Sequence, residues 1–149
     1  MSGALATLIE LAARRCDAAA KAVAGQLAAQ RTCALKGQML TQYRAEYVAR
    51  QAAASKAGTD GATLRNLAGF LAKLDEASAQ NELEGVECAA RVAGAQESWT
   101  AARRTLEGYE ALVRRNEGRI ALKARRIEQR QQDEFAARTT RTSTGDHPK

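Results

Sequence analysis

The chain has few of the residues that enzymes rely on. Its only histidine, His147, stands beside its only proline, Pro148, at the carboxyl end. Imidazole acid–base work and histidine-ligated metal sites therefore have no candidate in the body of the chain. Serines and threonines lack a neighbouring base, and the carboxylates are scattered along what read as solvated helix faces. No catalytic, cofactor or metal site is expected. Aromatic residues make up 4% of the sequence, too few for a thick globular core but enough for thin, closely approaching helices. Cys16, Cys33 and Cys88 are an odd number without CxxC spacing. They read as small reduced hydrophobes in a reducing compartment. No run is apolar enough to span a bilayer. The start, Met1-Ser2-Gly3-Ala4-Leu5, lacks a basic segment, and Glu10, Arg14 and Arg15 interrupt the stretch after it. The expectation is a cytoplasmic protein.

What the sequence does have is one long repeat. From Leu64 the spacing alternates between three and four through Leu67, Leu71, Leu74, Ser78, Asn81, Gly85, Cys88, Val92, Ala95, Trp99, Ala102, Leu106, Tyr109, Val113, Asn116, Ile120 and Lys123 to Ile127. Only Ser78, Asn81, Gly85, Asn116 and Lys123 are not apolar. A 3.5-residue period held this long describes a coiled-coil seam, a helical rod about 95 Å long at ~1.5 Å per residue.

A second, less regular seam precedes it. It runs Leu5, Ile9, Ala12, Cys16, Ala19 and Val23, drifts through Gln26, Gln30 and Cys33, and resumes at Leu40, Tyr43 and Tyr47. Ser2 can cap its first turn. Between the seams, the segment from Ala57 to Thr63 offers Gly58 as a helix stop and Thr59 or Asp60 as the next N-cap. Its Gly-x-x-Gly spacing has no following lysine and no preceding strand, so it reads as a turn and not a phosphate loop. The predicted fold is all-α, a two-helix antiparallel coiled-coil hairpin over residues 1–138. The first helix spans about 3–56, the turn about 57–63 and the longer second helix about 64–138, with a disordered tail over 139–149. Facing positions should sum to roughly 119 in an antiparallel pair closed by this short turn. The second helix then outruns the first from about residue 116.

Two surfaces exceed a plain coiled coil. One is an aromatic–aliphatic cluster near the turn, Leu40, Tyr43 and Tyr47 with Phe70, Leu74 and Ala77. There Phe70 lies one step off the seam and reads either as a docking residue or as a fold over the seam edge. The other is the overhang, where Arg119, Lys123, Arg125 and Arg126 accompany Ile120 and Ile127, with Arg114, Arg115, Leu122 and Arg130 around them. Charge alone leaves this a solvated face. Seam-phase isoleucines without a partner make it a binding end for a membrane, an RNA or a protein channel. The net charge of +6 is unevenly placed, +4 over residues 1–60, −2 over 61–109 and +4 over 110–149. This favours an acidic partner at the end holding both termini.

Several segments together resemble the FliJ proteins of the flagellar type III export apparatus. They are Leu5-x-x-Leu8-x-x-Leu11-Ala12, Leu40-x-x-Tyr43-x-x-Glu46-Tyr47, Phe70-x-x-x-Leu74-x-x-Ala77, Ser98-Trp99 with the basic stretch behind it, and Asp133-Glu134-Phe135-Ala136. They keep the family's order over about residues 4–141. The resemblance implies a non-enzymatic coiled coil similar to the stalk of rotary ATPases. Its implied partners are the hexameric export ATPase, the cytoplasmic linker of the membrane export gate and the export chaperones. It would be a monomer when isolated and peripheral to the inner membrane within the apparatus. Leu40, Tyr43, Tyr47, Phe70, Leu74 and Ala77 match the family's gate- and ATPase-contacting surface. Lys36 and Asn81 depart from it, standing where glutamine and histidine are usual. The equivalent stalk of a virulence-type secretion system and a basic helical hairpin that binds nucleic acid remain as alternatives. The acidic middle section and the lack of aromatics within the basic run weigh against nucleic acid.

Overall fold

Two helices account for the residues described in the computed structural model, 3–144. The first, α1, is Gly3–Ala57 and the second, α2, is Gly61–Thr144. No proline interrupts either, and the turn between them is built from side-chain and backbone caps. Gly58 takes a positive φ of 77°, a conformation that a side chain disfavours. The Gly58 amide donates to the Ser55 carbonyl at 3.4 Å and the Thr59 amide to the Ala54 carbonyl at 3.1 Å. This pairing satisfies the last carbonyls of α1 as a Schellman cap does. Asp60 then opens α2, its carboxylate accepting from the Thr63 amide at 3.1 Å. Of the two N-cap candidates, the structure uses Asp60.

Contacts divide the chain into two units, Arg14–Arg103 and the remainder. Within Arg14–Arg103 the helices run antiparallel in the expected register. Lys36 meets Glu84 at 3.6 Å, Arg44 meets Asp75 at 2.7 Å, and Tyr47 stacks on Phe70. Leu71, Leu74, Asn81, Cys88 and Val92 are the buried residues of this part of α2, with Leu64, Leu67, Ser78, Gly85, Ala95 and Trp99 half-buried between them. The seam of α1 is more regular than its composition suggests. Gln26, Gln30, Cys33, Gly37 and Leu40 are all half-buried in one phase. Polar residues there keep the phase because a narrow two-helix seam leaves each half-wet. Tyr43, expected on the seam, is instead 45% exposed. Arg44 holds the seam phase at that level and turns outward to Asp75.

One polar crossing fixes the register. Asn81, 9% exposed, donates from Nδ2 to the Cys33 carbonyl at 3.1 Å, and the Cys33 thiol donates back to the Asn81 carbonyl at 3.6 Å. The helices approach so closely there that a Cβ at position 37 would lie 2.6 Å from Asn81 Oδ1. Only glycine fits at Gly37 while that amide stays where it is. A buried asparagine at a seam position sets one alignment against its neighbours, because any slip would leave the amide unbonded. The three cysteines are free, Cys88 buried and the others half-buried. Desolvation, then the nearby Cys88 and Glu84, push the Cys33 thiol above its ordinary value, with Lys36 opposing.

In the other unit, residues 3–13 and 104–144, Ile9 lies beside Glu110 and Val113 around a shallow groove of about 320 Å³. Ala12 is buried, and Leu106, Tyr109 and Val113 are half-buried. The second helix runs on to Thr144, past the end expected near residue 138. The polar, β-branched run is helical because each residue extends an existing helix and needs no new nucleus, and its hydroxyls bond back to the helix. Thr139, Thr140 and Thr142 donate to the carbonyls of Phe135, Ala136 and Arg138 at 2.8, 2.6 and 3.1 Å. The rest of the expected tail, 145–149, and the Ser2 cap lie outside the described residues.

Candidate protein-binding surfaces

The cluster near the turn separates into a support and an exposed part. Leu74 is buried at 7% exposure, with Leu40, Tyr47 and Ala77 half-buried around it. Phe70 and Tyr43 remain exposed at 40% and 45%. The Phe70 ring leans on Tyr47 with centroids 4.3 Å apart and planes tilted by 39°. Arg50 also lies over Tyr47, its guanidinium 4.8 Å from the ring centre. Phe70 thus folds over the seam edge and still presents a large apolar face to solvent. The stack, worth ~0.5–1.5 kcal/mol beyond area burial, holds the ring in place before any partner arrives.

Sequence reasoning missed two residues that enlarge this surface. Leu35 and Met39 are 55% and 53% exposed, and they precede Tyr43 at steps of four on α1. The signal was the row Leu35, Met39 and Tyr43, which lies beside the seam. Only the seam had been traced.

The second surface begins where burial stops. Every described residue from Arg114 to Ser143 is exposed. Ile120, Leu122, Ile127 and Phe135 are 63%, 50%, 48% and 74% exposed. Arg119, Lys123, Arg126 and Arg130 recur at steps of four, three and four, so they share one face beside the Ile120–Ile127 stripe, while Arg125 lies on the far side of the helix. Glu117 and Glu128 lie away from the four-cation face. An apolar stripe with cations along one edge can seat in a partly apolar groove with an acidic wall on that side. Neither surface arranges a nucleophile, base and proton donor around a common point.

The family model for the flagellar FliJ protein matches residues 1–145. The chain belongs to the FliJ family. It is therefore a component of the flagellar protein export apparatus, and the flagellar reading prevails over the virulence-type alternative. No curated protein gives a significant match. Among the described residues, no helix is long and apolar enough to cross a membrane.

Proposed function

We propose that this member of the FliJ family is a non-enzymatic link of the export machinery, joining the export ATPase ring to the cytoplasmic linker of the membrane export gate. It would act on the cytoplasmic side, peripheral to the membrane, and motility would depend on it. The observation that supports this reading most is the fully exposed stretch after Val113. There the seam repeat continues through Ile120 and Ile127, beside a one-sided row of cations. A stalk needs a helix free to enter a ring, and this stretch has the required apolar stripe and charge. The Tyr43–Phe70 surface serves the gate, and export chaperones complete the partner set. No nucleic-acid role is assigned.

The test is charge reversal at Arg119, Arg125 and Arg126 together. The triple variant should lose association with the ATPase and its stimulation, while the helix content and melting of the protein stay as in the wild type. Wild-type binding and stimulation at physiological salt would remove the overhang as the docking end. Phe70→Ala and Tyr47→Ala should weaken gate binding and swimming while leaving ATPase association intact. Loss of swimming with undiminished gate binding would move that contact elsewhere.

A further inference from the structure

A second heptad seam runs along the back of α2, and no other described residue covers it. Ala79, Leu83, Val86, Ala90 and Ala93 recur at steps of four, three, four and three. That is the spacing of the first seam, displaced to the opposite side of the helix. All five are exposed. Leu83 and Val86, at 62% and 69%, are more open to solvent than any residue of the gate cluster. Single exposed leucines need no explanation, but an ordered stripe at coiled-coil spacing does.

The charge around the stripe has one sign. Between Leu74 and Ala102 the only cation is Arg91, and it is held by Glu87 at 3.3 Å. Asp75 and Glu84 are engaged by Arg44 and Lys36 of α1. Glu82 and Glu87 border the stripe, and Glu76 and Glu97 stand at its two ends. Glu76, Glu82 and Glu97 have no ion pair among the described residues. We propose that this stripe is a docking seam for a helix of another protein, one with small or apolar residues at alternating steps of three and four and Lys or Arg on both flanks. The repeat specifies a helix, since only a helix returns knobs at a 3.5-residue period. The alanines allow its backbone to come close, and the glutamates select its cations. This surface is separate from the overhang and from the Tyr43–Phe70 cluster, and the proposal does not depend on the stalk reading.

Two synthetic helical peptides of equal length test it by fluorescence anisotropy against the full chain. Both carry leucine and alanine at the seam positions, one with lysines and one with glutamates on the flanks. The lysine peptide should bind and the glutamate peptide should not. Leu83→Gln with Val86→Gln should weaken the lysine peptide by about tenfold or more. Glu82→Lys with Glu87→Lys should transfer preference to the glutamate peptide. All four substitutions are at exposed positions, and circular dichroism checks that each variant keeps its helix content. The R119E/R125E/R126E variant should bind the lysine peptide as the wild type does, which separates failure here from failure of the stalk reading. Absence of lysine-peptide binding would overturn the proposal, as would equal binding by the Leu83/Val86 variant. Sedimentation showing a dimer that dissociates on the Leu83/Val86 substitutions would also overturn it, because the occupant would then be a second copy.

Discussion

Before and after Val113, α2 carries the same repeat and meets opposite fates. Up to Val113 its seam positions are buried or half-buried, while Asn116, Ile120, Lys123 and Ile127 are exposed. The repeat is therefore a statement of what a helix can pair with, and the structure shows where pairing occurs. In one region apolar surface leaves water and stabilises the fold. In the other it stays in water and is available for binding.

The largest expected contrast comes from placing the same charge in both regions. Leu74→Ala should destabilise the protein by ~2–5 kcal/mol, since it removes a buried side chain. Leu74→Asp should be worse, because the carboxylate is left without a partner in the seam. Ile120→Asp should change melting by no more than about 0.5 kcal/mol while weakening ATPase association. Thermal unfolding followed by circular dichroism measures all three. Equal melting of Leu74→Asp and Ile120→Asp would erase the distinction between the regions.

Glycines sharpen the comparison through the sign of a single methyl. At Gly118, in the exposed stretch, a Cβ would meet nothing within 4 Å. Gly118→Ala should stabilise the helix by about 0.5–1 kcal/mol. At Gly37 the same change drives Asn81 off its bond to the Cys33 carbonyl. The stranded amide costs ~1–3 kcal/mol, which offsets or exceeds the gain in helix propensity. The decisive measurement is the cycle with Asn81→Ala, in which Gly37→Ala should become stabilising once no amide stands in its way. A Gly37→Ala variant that stabilises in the presence of Asn81 would mean the crossing adapts freely and sets no register.

Much of this architecture was legible because a coiled coil writes its contacts into a period. The turn at Gly58, the antiparallel register of α1 against α2 and the exposure of Ile120 all follow from spacing. Tyr43 was misplaced because tyrosine looks like a better seam residue than Arg44. A long arginine can hold the seam phase and still put its charge in water. The end of α2 was misjudged because threonine has low helix propensity. Propensity is a weak prior, and extending a long helix through Thr139 and Thr140 costs no nucleation. The crossing of Asn81 over Gly37 was invisible, since neither residue announces a partner and only helix separation brings them together. Leu83 and Val86 were overlooked for another reason. Residues opposite a strong seam read as solvent-facing unless they carry a period of their own, as these do.

The smallest effect belongs to the turn that joins the two helices. Hydrogen bonds from the side chain and the backbone amide of Thr63 hold the Asp60 carboxyl below its ordinary value of 3.8. The ionised form is thus favoured in the folded state. Its stabilising contribution is complete above the unfolded value and fades as pH falls through the lower, folded one. Asp60→Ala should melt slightly below the wild type at neutral pH, through loss of the cap. The gap between the two should narrow only once pH drops beneath the usual carboxylate range. Asp60→Asn retains a capping oxygen without the charge, so it should fall between them at neutral pH. A gap between Asp60→Ala and the wild type that stays constant down to the lowest measurable pH would show that the carboxylate's ionisation contributes nothing to the cap. The start of α2 would then rest on the Gly58 turn and the packing beyond it.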